Sequence, residues 1–111
     1  MDKTTKPLAS AIGSKSGIYI NGVVISNDAR KVNLKDGTTR VSVKHELALD
    51  PGLIILDKFI DPKMNNEVKL VGEEIKEYPK LVKFEPIIVR VQKIKEYNGQ
   101  MTASDWELAS D

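Results

Sequence analysis

The stretch Arg30–Leu47, RKVNLKDGTTRVSVKHEL, gathers residue types suited to one chemistry, the holding of an anionic polymer. Lys31, Lys35, Arg40 and Lys44 supply cations, and Asn33 and Ser42 supply hydrogen-bonding groups. Val32, Leu34, Val41, Val43 and Leu47 occupy the alternate positions. Side chains of a strand point to opposite faces with period two, so the pattern predicts a β-hairpin with one apolar and one basic, polar face. Asp36-Gly37 is the turn, with Thr38 and Thr39 allowing a slightly longer loop.

Other chemistries find fewer parts. The chain has no cysteine and one histidine, His45, which falls on the apolar parity between Val43 and Leu47. That position marks a partly buried structural residue, and a histidine-based triad lacks its partners. Neither a G-x-x-x-x-G-K-[ST] loop nor an H-E-x-x-H pair is present. Asp57 and Asp61, four apart, make a poor metal site without further oxygen ligands nearby. Glu73 and Glu74 are adjacent and would face opposite ways in a strand. The expectation is therefore a non-catalytic protein with no metal and no cofactor.

The net charge of +1 names no partner, but its distribution is uneven. Residues 30–44 carry five cations against one carboxylate, and residues 76–95 carry six against two. Residues 46–75 carry seven carboxylates against three lysines, and residues 96–111 carry four with no base. Blocks of this kind can build a positive face on a near-neutral protein. A length of 111 residues with 41% apolar and 30% charged residues suits one compact domain. No apolar run approaches the roughly 20 residues of a membrane helix, and residues 1–16 show no signal-peptide pattern. A cytoplasmic location without membrane contact is expected.

The elements that must position the hairpin follow in order. Residues 1–16, with Pro7 and Gly13, read as a flexible N-terminal arm. Gly17–Ser26, GIYINGVVIS, is strand-like, and its apolar parity changes around Asn21-Gly22. A glycine inside a strand marks a bulge or bend, so one strand here serves two parts of a curled sheet. After Asp50-Pro51-Gly52, Leu53, Leu56, Phe59 and Ile60 recur at helical spacing, predicting a short helix closed by Pro62. Leu53-Ile54-Ile55-Leu56 also suits a short buried strand. Glu67–Lys76 resumes strand character, and Ile87–Lys95 is a strong strand with Pro86 at its start. Tyr97-Asn98-Gly99 is a turn, and residues 98–111 read as an acidic C-terminal tail whose one tryptophan, Trp106, either offers a ring for stacking or anchors the tail by packing on the body. Five short, mostly antiparallel strands with close turns point to a small barrel or sandwich, and closure removes exposed sheet edges.

This order resembles the OB-fold, an all-β, five-stranded Greek-key barrel with one short helix between its third and fourth strands. The resemblance covers residues 17–97. It rests on Gly22, the Arg30–Leu47 hairpin, Leu53–Ile60, Val68–Lys76 and Ile87–Lys95. The chain looks most like a single-stranded-DNA-binding protein of the small bacterial or phage type, although its final residues, Glu107-Leu108-Ala109-Ser110-Asp111, lack an apolar tip. The resemblance implies binding of single-stranded DNA, or of RNA, in replication or recombination, with a homodimer or higher homo-oligomer extending the track. OB-folds bind oligonucleotides on the outer face of their second and third strands and on flanking loops. The implied site is Lys31, Asn33, Lys35, Arg40 and Lys44 on the hairpin, with Tyr78, Lys80 and Lys83 in a fourth–fifth strand loop over residues 76–84. There lysines would follow phosphates and a ring would stack on bases. Tyr78 is the preferred platform because Pro79 fixes the chain beside it, while Phe84 is expected in the core. A protein-interaction module or assembly subunit built on the same barrel is the alternative.

Overall fold

The protein is described here by a computed structural model covering residues 17–109. The predicted arm, residues 1–16, lies outside the described residues, as do residues 110–111. Seven strands follow one another: β1 (Ile18–Asn33), β2 (Thr39–Ala48), β3 (Leu53–Ile60), β4 (Lys69–Val71), β5 (Glu74–Glu77), β6 (Pro86–Tyr97) and β7 (Gln100–Leu108). Five of them close a barrel in the order β1-β2-β3-β7-β6, and β4 and β5 form a separate hairpin. Neighbours are antiparallel except β3 and β7, which run parallel.

β1 serves two parts of the sheet. Ile18–Val23 pairs with β6, and Val23–Asn33 pairs with β2. Gly22 stands at the handover because a Cβ there would lie 2.6 Å from Leu47 Cγ and 2.8 Å from the Ala48 carbonyl oxygen. A register shift between Val24 and Ser26 then bends the strand, as a bulge does.

Three expectations are corrected. Leu53–Ile60 is strand β3, not a helix: all eight of its residues pair with β2. Ile54 and Leu56 point inward while Asp57 and Phe59 point outward, so period two prevails over the apparent helical spacing. Residues 100–108 are not a tail but strand β7, which carries the barrel from residue 97 on to Leu108. Asn98 and Gly99, both at positive φ, form the tight turn that joins β6 to β7. Val68–Lys76 supplies no barrel wall; it belongs to the separate β4–β5 hairpin.

Two cores result. The barrel core contains Val24, Leu47, Ile54, Leu56, Val89, Val91, Ala103 and Trp106. Trp106 Nε1 donates to the Asp57 carbonyl at 3.1 Å, and its ring meets that of His45 edge-on at 5.5 Å. Full burial of a side chain such as Leu56 contributes about 2 kcal/mol. A smaller core of Val41, Val43 and Val68 lies beyond it, where β1, β2 and β3 project past the barrel and the β4–β5 hairpin covers their inner side.

Candidate nucleic-acid interface

The outer face of β1, β2 and β3 is set by the register. Arg30, Ser42 and Phe59 lie in one row across the three strands, and Asp28, Lys44 and Asp57 lie in the next. Val32 and Arg40 form a row toward the tip, and Ser26, Glu46 and Ile55 form one toward the barrel. Through Ile55 the face continues to Thr102 on β7 and Lys95 on β6. A groove of about 240 Å³ runs over Asp28, Arg30, Val32, Ser42, Lys44, Asp57 and Phe59. Phe59 is 58% exposed in it. The Ser42 hydroxyl donates to Asp57 Oδ1 at 3.1 Å, and Ser26 Oγ donates to Glu46 at 2.6 Å.

The predicted hairpin face is divided. Arg40 and Lys44 do lie on the outer face. Lys31 and Asn33 lie on the inner side, opposite Val41 and Thr39. The cause is the turn. A two-residue Asp36-Gly37 turn would set Lys31 across from Ser42, whereas the loop spans Leu34–Thr38 and sets Lys31 across from Val41. A slip of one residue sends each side chain of a strand to the other face. The longer loop is held by Leu34 N–H on Thr38 O at 2.8 Å and Gly37 N–H on Leu34 O at 3.0 Å. The Thr38 hydroxyl and amide also donate to Asp36, which lowers the Asp36 pKa.

Lys31 is accordingly largely covered and paired with Glu73 of the hairpin cap. Asn33 Oδ1 accepts from Thr39 Oγ1 at 3.1 Å, and Lys35 is exposed in the loop. Arg40 donates to Thr39 O at 3.1 Å and stands 3.7 Å from Asp61. Tyr78 is half-buried against the small valine core, with Lys80 Nζ 4.9 Å from its ring. Residues 76–84 do not join the fourth and fifth barrel strands; they run from β5 into β6, and Asn98-Gly99 makes the fourth–fifth connection. Lys83 is exposed beside Phe84, which is 70% exposed and not in the core. The sequence-predicted residues thus fall in four places: Arg40 and Lys44 on the outer face, Lys31 and Asn33 on the inner side, Lys35 in the hairpin loop, and Tyr78, Lys80 and Lys83 in the β5–β6 connection; of them Lys44 alone lines the groove.

Arg30 and Phe59 were missed as site residues. Reading Leu53–Ile60 with period two would have placed Phe59 outside beside Asp57. Tyr97, 76% exposed at the end of β6, is a second ring on the barrel surface. His45 is buried as expected. Its Nδ1–H donates to Asn27 Oδ1 at 2.6 Å, while Asn27 also receives Leu81 N–H and donates to Leu81 O, each at 3.0 Å. Burial, and then the nearby charge of Lys58, push the His45 pKa down to about 4. His45 is therefore neutral at pH 7 and fastens the 78–85 connection to the barrel. Among the described residues, no group of three or more His, Cys, Asp or Glu could hold a metal ion.

This architecture defines an OB-fold. A solved structure similar to the chain is the solution NMR structure of the OB domain of Ta0387 from Thermoplasma acidophilum. It has a TM-score of 0.52 and 14% sequence identity over 88% of this chain and 77% of that one. No protein-family model and no curated protein matches the chain. The likeness is one of fold. Among the described residues, no helix is long and apolar enough to cross a membrane.

Proposed function

We propose that this protein is a non-catalytic, cytoplasmic binder of single-stranded nucleic acid, most suited to single-stranded DNA in replication or recombination. The strand runs along the outer groove of β1, β2 and β3. Phe59 stacks on a base, and Arg30, Arg40 and Lys44 meet phosphates. The observation that carries this reading is the exposed Phe59 ring beside Arg30 and Lys44, on the face where OB-folds take oligonucleotides. A stacked base contributes about 1–3 kcal/mol whatever its identity, so sequence preference is weak. One barrel offers a short track, and a homodimer would lengthen it.

The face is not a plain cationic rail. Asp28, Glu46 and Asp57 share it with Arg30, Arg40 and Lys44. Stacking then carries more of the affinity than counterion release, and three phosphate contacts give a log–log salt slope no steeper than about −2 on a single strand. The same balance of charge favours a second reading, a docking face for a protein partner. Titration with single-stranded DNA, single-stranded RNA and duplex DNA of graded length at two salt concentrations separates the two. The expected outcome is tightest binding to single strands with a shallow salt dependence. Absence of binding to all three at low salt selects the protein-docking reading.

A further inference from the structure

Strand β3 has a second side. Phe59 and Asp57 face the outer groove, while Lys58 faces inward, toward a cavity of about 290 Å³. The cavity opens where the two cores meet. Val43 and Ile60 belong to the valine core, and Trp106 and Leu81 belong to the barrel core. The β4–β5 hairpin covers the first and the 78–85 connection crosses the second, leaving the space between them open.

The lining has a definite chemistry. Two buried rings, His45 and Trp106, stand at right angles in its wall. His45 is neutral, and its Nδ1–H is committed to Asn27. Lys58 Nζ lies 4.2 Å from the Trp106 ring centroid. Among the described residues, no carboxylate stands within ion-pair distance of Lys58. Among the described residues, the ammonium group is thus held at an aromatic wall without an anionic partner. Glu67 lines the same cavity and disfavours a doubly charged ligand such as a phosphate monoester. The volume is at the small end of the roughly 300–1,000 Å³ range of small-molecule sites.

The geometry points to a binding site for a small aromatic monocarboxylate, its ring against Trp106 and Val43 and its carboxylate on Lys58. The site lies on the opposite side of β3 from the proposed nucleic-acid groove and does not depend on it. The chain has one tryptophan, so a single indole N–H resonance, that of Trp106 in the cavity wall, reports on the site. The test is an NMR titration of the full chain with benzoate and with the neutral benzamide. Benzoate is expected to shift the Trp106 indole resonance saturably, with a half-point of about 1 mM or below, as suits a ligand of this size. Benzamide is expected to bind at least about tenfold more weakly, the loss of one charge-assisted contact. Lys58→Gln should remove the difference between the two, and Phe59→Ala should leave it unchanged. No saturable shift with benzoate, or equal shifts with benzoate and benzamide, overturns the proposal. The two ligands test the charge requirement on the unaltered protein, so the outcome stands even if a substitution disturbs folding.

Discussion

The barrel and the tip that projects from it share strands β1, β2 and β3, yet they are held together differently. The barrel core buries Leu47, Leu56 and Trp106 among eight residues drawn from all five of its strands. The tip buries three valines, and its other apolar residues are only partly covered. In place of apolar bulk it uses polar ties, Lys31 to Glu73 and Arg40 to Asp61, while Asn27 ties Leu81 and His45 together at the junction with the barrel. The proposed groove lies mainly on the tip. Its shape therefore depends on the weaker of the two cores and on the β4–β5 cap, while the barrel supplies a fixed base.

The sharpest test of that contrast is truncation in each core. Leu56→Ala should cost about 2–5 kcal/mol and lower hydrogen-exchange protection across all barrel strands. Val68→Ala removes two methyl groups and should cost about 1.5–2.5 kcal/mol, with protection lost at the tip and in β4–β5. Equal loss of protection across the molecule in both variants would show one cooperative core, not two.

Acid should act at the junction. His45 titrates near 6.5 in the unfolded chain and near 4 when folded. The stability it confers is complete above about pH 6.5 and is lost as pH falls toward 4, because in that window only the unfolded chain takes up the proton. The loss approaches about 2–3 kcal/mol. Denaturant melts of the protein and of His45→Gln between these pH values should show the fall in the first and its absence in the second. Parallel curves would show that His45 does not set the acid response.

The smallest effect is expected at Lys31. Its partner Glu73 is largely exposed, so Lys31→Gln should cost less than about 1 kcal/mol in stability. Oligonucleotide affinity should hardly change, since Lys31 faces inward, whereas Lys44→Gln on the outer face should weaken binding measurably. A larger loss from Lys31 than from Lys44 would contradict the assignment of faces.

The sequence carried the all-β character, the hairpin, the double role of β1 at Gly22 and the strand after Pro86. Each rests on local signals: period two, a turn dipeptide, a glycine in a strand and a proline at a strand start. What failed depended on partners distant in the chain. Leu53–Ile60 has apolar residues compatible with either period, and pairing with β2 decides for a strand. The Asn98-Gly99 turn was visible, but the acidic composition after it concealed β7, whose inward residues are only Ala103 and Trp106 among the buried set. The site was less legible than the fold because it hinges on register. One extra residue of loop at Leu34–Thr38 separated Lys31 from Arg40, and the misread β3 hid Phe59.

In the proposed function, the groove beside Phe59 holds a single strand. Fluorescence anisotropy with a labelled oligothymidylate of about 15 nucleotides, within the span of one OB barrel, tests it directly. Phe59→Ala should weaken binding by the loss of one stacked base, about 1–3 kcal/mol or roughly fivefold to a hundredfold, with an unchanged denaturation midpoint because the ring is exposed. Affinity unaltered in folded Phe59→Ala would contradict the claim and move any nucleic-acid site off this face.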